Sequence, residues 1–232
     1  MPLLREKCKA SPHLRFPMIK FYLFFFIFLM VPEICLAGVT VVGTRFFIDD
    51  TTRSLNINVI NDNDSDYLVK ATVNSDSFII SPPLFILKKN ASNIITIIPD
   101  EMNKGNRDKV YSLTIATIPR AEMNEVSNVV SLAIRSHFKI IYRHMVPTEN
   151  DFNQIKLTQT SSGKWLLSNP TLFAYTIFLS KEKTQSTKNS QILASGQKIP
   201  VSKYCDIHAC SLWLAILDNE NHIVKNLNLI SG

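Results

Sequence analysis

From Gly38 onward, hydrophobic and polar residues alternate along the chain with the two-residue period that is typical of β-strands. The stretch "VTVVGTRFFID" is followed by the polar "DDTT", and "RSLNINVIND" by the polar "NDNDSD". Similar apolar stretches recur at short intervals as far as "HIVKNLNLI", and no segment sustains the 3.6-residue period of a helix. Short strands separated by polar turns are typical of antiparallel sandwiches and barrels, so the pattern predicts an all-β fold.

The alternation is interrupted at "RHMVPTEND", where Pro147 is followed by a polar run. A second set of strands then begins at "FNQIKLTQT". The sequence therefore predicts two all-β domains, residues 38–147 and residues 148–232, joined by a brief hinge. In the second domain, the Lys-, Ser- and Gln-rich segment from Lys181 to Ser190 is interpreted as the solvated end of a hairpin rather than as a binding patch.

The first 37 residues have a different character from the rest. The stretch "MIKFYLFFFIFLMVPEICLAG" combines a basic flank at Lys20, an apolar run from Phe21 to Val31 and small residues at its end. This arrangement predicts a secretory signal that is cleaved after Ala37. A membrane anchor is the alternative, but the apolar run is shorter than the roughly 20 residues that span a bilayer. Met18 would suit the start of a compact signal peptide, which leaves the start codon open.

The leader also accounts for part of the positive charge of the chain. It carries five of the 25 Lys and Arg residues and two of the 19 Asp and Glu residues, so its removal lowers the formal net charge from +6 to +3. The remaining basic residues are scattered along the sequence rather than clustered. Scattered charge and export both argue against nucleic acid as a partner.

Two cysteines, Cys205 and Cys210, remain after the leader is removed, close together in "YCDIHAC". In an exported protein this spacing predicts a disulfide. A metal site that includes His208 is the alternative, but two thiols and one imidazole without a fourth ligand nearby are a poor set for zinc. We therefore expect no metal. Closing so short a loop stabilises the fold by only about 2 kcal/mol.

The residues after the leader contain no catalytic motif. G-x-S-x-G, H-E-x-x-H and a phosphate-binding loop are all absent, and the entire sequence has only six glycines. The four histidines in this part of the chain are isolated from one another: His137, His144, His208 and His222. The sequence therefore predicts a protein that is not an enzyme and that needs no cofactor.

The stretch "SNVVSLAIRSHFKIIYRHMVP" predicts an unusual strand. Because side chains alternate between the two faces of a strand, one face is apolar and the other is basic. The apolar face carries Val130, Leu132 and Ile134, and the basic face carries Arg135, Lys139 and Arg143. A strand from Asn128 to Tyr142 would extend on the order of 50 Å, well beyond the usual five or six residues. No run of prolines or charges protects its edge, so we expect the edge to be used for binding.

Several motifs resemble those of one protein family. They are "GTRFFID", "INDNDSDYLVKATV", "FIISPPLFIL", "RDKVYSLTIATIPR", "NVVSLAIRSHFKIIYR" and, in the second half, "LSNPTLFAYTIFLS". Their order and spacing are similar to those of the PapD-like periplasmic chaperones of the chaperone–usher pilus pathway, over essentially all of the chain after the leader. The resemblance implies two immunoglobulin-like β-sandwich domains in an L or boomerang arrangement.

The resemblance assigns a binding role to two basic residues and to the apolar face of the long strand. Arg45 and Lys139 match the pair that holds the C-terminal carboxylate of a pilin subunit, and charge-assisted hydrogen bonds from two cations would hold it firmly. Val130, Leu132 and Ile134 match the strand that is donated to the subunit by β-strand addition, of which chaperone–pilin complexes are a known example. The alternative for these three residues is ordinary core of the first domain.

The resemblance also implies an ion network between the domains, formed by Asp108, Arg143 and Asp218. The family usually has Glu at the first of these positions, so the shorter Asp108 puts a direct contact in doubt. This network would fix the angle between the domains and would not contact the partner.

The function that the resemblance implies is capture of pilin subunits in the periplasm and their delivery to an outer-membrane usher, by a protein that is not embedded in the membrane. One alternative is a structural or adhesive immunoglobulin-like component of the pilus itself, although such a subunit would be a single incomplete domain. A secreted enzyme is the other alternative. Whether the free chain covers its own edge by forming a dimer stays open.

Overall fold

A computed structural model of the chain describes residues 38–100, 105–120, 132–183, 189–205 and 208–231. The predicted signal segment lies outside these residues. The all-β prediction is confirmed, because the described residues form four sheets that pack as two sandwiches. No helix among the described residues is long and apolar enough to cross a membrane.

The first sandwich consists of a four-stranded and a five-stranded sheet. The four-stranded sheet is antiparallel and contains, in spatial order, β1 (Val39–Val41), β3 (Leu55–Asn61), β7 (Ala91–Pro99) and β5 (Phe78–Ser81). The five-stranded sheet contains, in spatial order, β2 (Arg45–Ile48), β9 (Ile134–Tyr142), β8 (Lys109–Pro119), β4 (Tyr67–Val73) and β6 (Leu84–Leu87). All neighbours in this sheet are antiparallel except β2 and β9, which are parallel.

The second sandwich consists of a three-stranded and a four-stranded sheet, both antiparallel. The smaller sheet contains, in spatial order, β10 (Lys156–Gln159), β11 (Trp165–Ser168) and β14 (Lys198–Pro200). The larger sheet contains β13 (Gln191–Leu193), β12 (Tyr175–Ser180), β15 (Cys210–Leu217) and β16 (Ile223–Ser231).

The segment between the sandwiches contains one short helix, α1 (Glu149–Phe152). Its first turn is fixed by Asp151, whose carboxylate accepts hydrogen bonds from the Thr148 backbone N–H at 2.7 Å and from the Thr148 hydroxyl at 2.6 Å. The sequence pattern did not predict this helix, because four residues are too few to show a helical period. Satisfied backbone groups at the helix start are what allow so short a turn to form.

Each sandwich has its own hydrophobic core, built from alternate residues of facing strands. In the first sandwich, Ile57 and Val59 of β3 are fully buried, as is Ile95 of β7. In the second, Leu212 and Leu214 of β15 are fully buried. The period of two that predicted strands therefore also predicted which side of each strand faces the core.

A buried asparagine braces a loop in each sandwich. The side-chain amide of Asn61, at the end of β3, donates to the carbonyl oxygens of Ser65 at 2.8 Å and Lys88 at 2.9 Å. Asn169, just after β11, donates in the same way to the carbonyl oxygen of Phe173 at 2.7 Å. Both side chains are fully buried, and these bonds satisfy the N–H donors of the two buried amides.

Of the strand that the sequence placed from Asn128 to Tyr142, residues 128–131 lie outside the described residues, and the described part is shorter than predicted. Strand β9 begins at Ile134, and the described residues Leu132 and Ala133 before it are not in a strand. The ladder with β8 stops where Thr117 pairs with Ile134. A strand exists only as far as a partner hydrogen-bonds to it, so the long apolar run did not suffice to extend it.

The chain changes sheets between β1 and β2, at Gly43. This residue has φ +110, a conformation that only glycine adopts readily. A Cβ at this position would also lie 2.8 Å from the ring of Phe46. The turn directs Arg45 into the five-stranded sheet, where it pairs with β9.

Candidate functional site

Arg45, Lys139 and Ser112 form a row across three adjacent strands. Arg45 of β2 pairs with Lys139 of β9, and Lys139 pairs with Ser112 of β8. Residues that are directly paired project to the same side of a sheet, so the two cations and the hydroxyl lie side by side. The Lys139 ammonium donates a hydrogen bond of 2.7 Å to the Ser112 hydroxyl.

The Arg45 guanidinium contacts the second sandwich. Its Nη1 lies 3.4 Å from the Ser190 hydroxyl, just before β13, and its Nη2 donates to the side-chain oxygen of Asn221, in the turn between β15 and β16. Arg45 and Lys139 line one cavity of about 570 Å³ together with Thr44, Ser190, Gln191, Ile192 and Asn221. The cleft that holds the two cations is therefore lined by residues of both sandwiches.

Neutral groups hold both cations of this cleft. Among the described residues, neither Arg45 nor Lys139 forms an ion pair with a carboxylate. Burial lowers the pKa of the Arg45 guanidinium, and the charge of Asp218 acts in the opposite direction. The Nε of Arg45 is buried without a hydrogen-bond partner among the described residues. A partly desolvated cation that no carboxylate neutralises is well suited to bind an anion.

The start of β9 has an open edge. On one side β9 pairs with β8 along its whole length, but on the other side β2 reaches only Lys139 to Tyr142. No other strand of the described residues pairs with Ile134 to Phe138 on that side. The backbone N–H and C=O groups of this half-strand are thus available to a further strand.

The apolar residues before and within this half-strand continue the core face of β9. Phe138, Ile140 and Tyr142 alternate along β9 and are buried in the core of the first sandwich. Ile134 has the same parity but is 56% exposed, and Leu132 is 73% exposed. These two residues are therefore not core of this chain. Val130, the third predicted member of the row, lies outside the described residues.

The basic face of β9 carries the remaining predicted residues. Arg135 pairs with Ala116 of β8 and is exposed. Arg143 follows the strand, and its guanidinium lies 5.4 Å from the centre of the Phe47 ring. Lys139 and Arg143 therefore serve different parts of the molecule, since Lys139 lines the cavity near Ser190 and Arg143 a separate cavity near Tyr175.

Asp108 and Arg143 tie the two sandwiches together. The Asp108 carboxylate, which is almost fully buried, accepts hydrogen bonds from Arg143 Nε at 2.9 Å and Nη2 at 2.8 Å. The same oxygen accepts the Ala174 backbone N–H at 2.8 Å, and Arg143 donates to the Ala174 carbonyl at 2.5 Å. The shorter Asp side chain thus reaches Arg143 directly. Ala174 precedes β12, so the contact links the first sandwich to the second.

Asp218, the third predicted member of the network, binds groups of its own turn. Its carboxylate accepts the backbone N–H groups of Glu220 at 2.9 Å and His222 at 2.8 Å, within its own turn. It lines one cavity with Arg143, but no ion pair joins the two among the described residues. The structure brings Asp108 and Arg143 together, and the membership of Asp218 in their network stays a prediction.

Cys205 and Cys210 form the predicted disulfide at the start of β15. Both thiols are consumed by this bond, so a metal site with His208 would have lost its sulfur ligands. Among the residues that the structure describes, no group of three or more His, Cys, Asp or Glu side chains could hold a metal ion.

A polar cluster that the sequence did not predict lies at the end of β2 and β9. Asp50 accepts a hydrogen bond of 2.6 Å from the Tyr142 hydroxyl and is paired with the ring of His144. Tyr142 is almost fully buried, and burial together with the hydrogen bond to Asp50 raises its pKa to about 12. The cluster fixes the backbone next to Arg143.

Comparisons with known proteins all find chaperones of pilus assembly as the similar proteins. Residues 38–147 match the family described as "Pili and flagellar-assembly chaperone, PapD N-terminal domain". The chaperone protein LpfB of Salmonella typhimurium is 26% identical over 151 residues, which are 60% of this chain and 65% of that protein. The chaperone protein MrkB of Klebsiella pneumoniae is 29% identical over 213 residues, which are 82% of this chain and 86% of that protein.

A solved structure has the same fold as the two sandwiches. It is that of the SafA pilin in complex with the SafB chaperone of Salmonella enterica. The match has a TM-score of 0.68 at 16% identity, and it covers 85% of this chain and 98% of that chain. At this level of identity the similarity establishes the fold alone.

Proposed function

Because this chain belongs to the PapD-like family of pilus-assembly chaperones, we propose that it is a periplasmic chaperone that binds pilin subunits by lending them a β-strand. The bound subunit is then passed to an outer-membrane usher. The protein acts as a carrier, so it requires neither a cofactor nor a catalytic group.

The observation that carries this proposal is the exposed apolar row at the open edge of β9. Leu132 and Ile134 continue the core side of the strand beyond the core of their own sandwich. A subunit that lacks one strand has unpaired backbone groups and an unfilled apolar groove. The β9 edge supplies both missing elements, since its backbone pairs with the subunit and its apolar side chains fill the groove. Each apolar side chain that becomes buried contributes about 1.5–3 kcal/mol.

The cleft at Arg45 and Lys139 fixes the register of the added strand. The two cations lie near the point where β2 stops covering β9, so a carboxylate bound there would end a strand that runs along the open edge. A C-terminal carboxylate is the group that marks the end of a subunit's last strand. Charge-assisted hydrogen bonds to two cations hold it more strongly than bonds to neutral donors would.

Coexpression with a pilin subunit tests the proposal. A subunit expressed alone in the periplasm is expected to aggregate or be degraded, and one expressed with this chain to be recovered as a soluble one-to-one complex. The complex is measured by affinity capture of the subunit followed by size-exclusion chromatography with light scattering. Failure of the chain to raise the soluble subunit level, with both proteins present, argues against the chaperone role.

The same experiment distinguishes a pilus component from a chaperone. If this chain were itself a structural subunit, it would assemble into ladders of increasing mass that resist dissociation by detergent. The proposed chaperone would instead stop at a one-to-one complex, because a strand that is lent to a subunit leaves no new acceptor groove.

A further inference from the structure

We propose that Ser190 and Asn221, two neutral residues of the second sandwich, position the Arg45 guanidinium for the subunit's carboxylate without neutralising its charge. This inference rests on the proposed function. It gives a role in carboxylate binding to Ser190, which ends the loop that the sequence pattern indicates to be solvated. Ser190 and Asn221 are positioning residues, since they act on the carboxylate through Arg45.

The contacts fix the guanidinium from two directions. Ser190 approaches Nη1 from the segment before β13, and Asn221 accepts from Nη2 in the turn after β15. An arginine side chain on a strand has several rotatable bonds and loses conformational entropy when it binds a ligand. Contacts that hold it in place beforehand remove part of that cost from the binding step.

The turn that presents Asn221 is itself held rigidly. Asn221 has φ +68, a conformation that asparagine adopts more readily than most residues. The Asp218 carboxylate accepts hydrogen bonds from two backbone N–H groups of the turn. The Asp218 backbone N–H donates a hydrogen bond of 2.9 Å to the His222 carbonyl. Asp218 therefore stabilises the turn that holds Asn221 against Arg45.

The neutrality of the two acceptors matters for binding. A carboxylate at either position would pair with Arg45 and cancel the charge that attracts the ligand. Ser190 and Asn221 instead use hydrogen-bonding capacity alone and leave the positive charge intact. Arginine has five N–H donors, and one hydrogen bond at each Nη leaves a second N–H on each Nη for the ligand.

The second cation of the cleft, Lys139, is also held by a neutral group. The Lys139 ammonium is held by the neutral Ser112 hydroxyl at 2.7 Å. Both cations are thus fixed by neutral groups, Lys139 from within its own sheet and Arg45 from the opposite sandwich. The second sandwich therefore contributes to the strength of the anchor, although the strand that is lent belongs to the first.

The test compares two forms of one probe peptide, a copy of the last strand of a pilin subunit that the chain captures. One form ends in a free carboxylate and the other in an amide. The ratio of their affinities for the full-length mature chain, measured by calorimetry, isolates the contribution of the carboxylate. Ser190→Ala removes one contact, and Asn221→Gly removes the other while still accepting the positive φ. Ser211→Ala and Asn226→Ala, both at exposed positions of the second sandwich, are the matched controls.

We expect the ratio to fall on the order of tenfold in the Ser190→Ala, Asn221→Gly double variant. The affinity for the amidated peptide and the thermal unfolding midpoint should stay at the values of the control variants. Asn221→Asp is the sharper variant, because it keeps an acceptor in place but supplies a negative charge. It should lower the ratio although it holds Arg45 more tightly, since the charge of Arg45 is then cancelled.

An unchanged ratio in the double variant, or a raised ratio in Asn221→Asp, overturns the positioning role and leaves the anchor intact. Equal affinity of the unmodified chain for the two peptides overturns the carboxylate anchor itself, and the positioning role with it. The two failures are therefore distinguishable.

Discussion

Arg45 and Lys139 are direct partners in the parallel register of β2 and β9. They lie 94 positions apart in the sequence, and the pairing of a short strand with a long one places their two charges side by side. The arrangement would be unfavourable for two like charges unless something compensates it. The bound carboxylate of a subunit is the compensation that the proposed function supplies.

Replacement of Ile134 by Asp is expected to weaken subunit capture without unfolding the protein. Ile134 is more than half exposed, so the substitution removes little buried area in the free chain. In the complex it would place a charge in an apolar groove, which is costly. Capture is measured as the yield of one-to-one complex when a denatured subunit is diluted into the chaperone.

The matched control for this variant is Ile94→Asp, at an exposed position of β7 in the opposite sheet. It should capture subunits as the unsubstituted protein does. Equal capture by the two variants would show that the β9 edge is not the donated strand.

Replacement of Asp108 by Ala is expected to lower the free energy of unfolding by about 3–5 kcal/mol, because it strands the mostly buried charge of Arg143. The Ala174 backbone N–H loses its acceptor as well. Urea unfolding monitored by fluorescence measures the effect. Glu220→Ala, at a highly exposed position, should stay within about 0.5 kcal/mol of the unsubstituted protein.

The role of Asp218 can be separated from that of Asp108 by double-mutant cycles with Arg143. A large coupling energy is expected between Arg143 and Asp108, which are in direct contact. Between Arg143 and Asp218 the coupling should be close to zero, because the Asp218 carboxylate binds its own turn. A coupling of Asp218 with Arg143 as large as that of Asp108 would instead support the three-membered network that the resemblance implies.

The sequence predicted the fold well because the physical signals of strands are local. Alternation along β3 and β4, for example, follows from which side of each strand must be buried. Two features escaped prediction for physical reasons. Helix α1 is too short to show a period, and the ladder between β9 and β8 starts only at the pair Ile134 and Thr117, which the apolar pattern does not encode.

The candidate site was only partly predictable. Arg45 and Lys139 could be identified from their motifs, whereas their neutral partners could not. Ser190 ends a polar loop and Asn221 lies in a turn, and in both places a polar residue is what solvent exposure alone would favour. Only the packing of the second sandwich against the first brings them to Arg45.

Removal of the Cys205–Cys210 disulfide is expected to lower the free energy of unfolding by only about 2 kcal/mol, since the closed loop is short. The protein should remain folded and capture subunits normally. The measurement is urea unfolding with and without a reductant. The Cys205→Ala, Cys210→Ala variant is the control, and its stability should not respond to the reductant. Loss of the fold on reduction would contradict the small role given to this bond.

Tyr142 makes stability depend on pH in the alkaline range. Its pKa is raised by burial and by Asp50 to about 12 in the folded state, while an unfolded chain releases the proton near pH 10. The folded state thus holds the proton more tightly than the unfolded chain does. The resulting contribution to the free energy of unfolding is fully present below about pH 10 and is lost as the pH rises toward 12.

The stability difference between the unsubstituted protein and Tyr142→Phe should therefore shrink over that range. Urea unfolding at a series of pH values measures the difference. A difference that stays constant across the range would contradict the raised pKa.

Capture of a refolding subunit by the Arg45→Ala and Lys139→Ala variants tests the central claim most directly. The yield of one-to-one complex from a denatured subunit is compared with that of Lys70→Ala, a control at an exposed position of β4 in the same sheet. We expect both cleft variants to be folded, with a complex yield reduced by about tenfold or more, and the control to be unaffected. Complex formation by either cleft variant at the level of the control would contradict the claim that these two cations anchor the subunit.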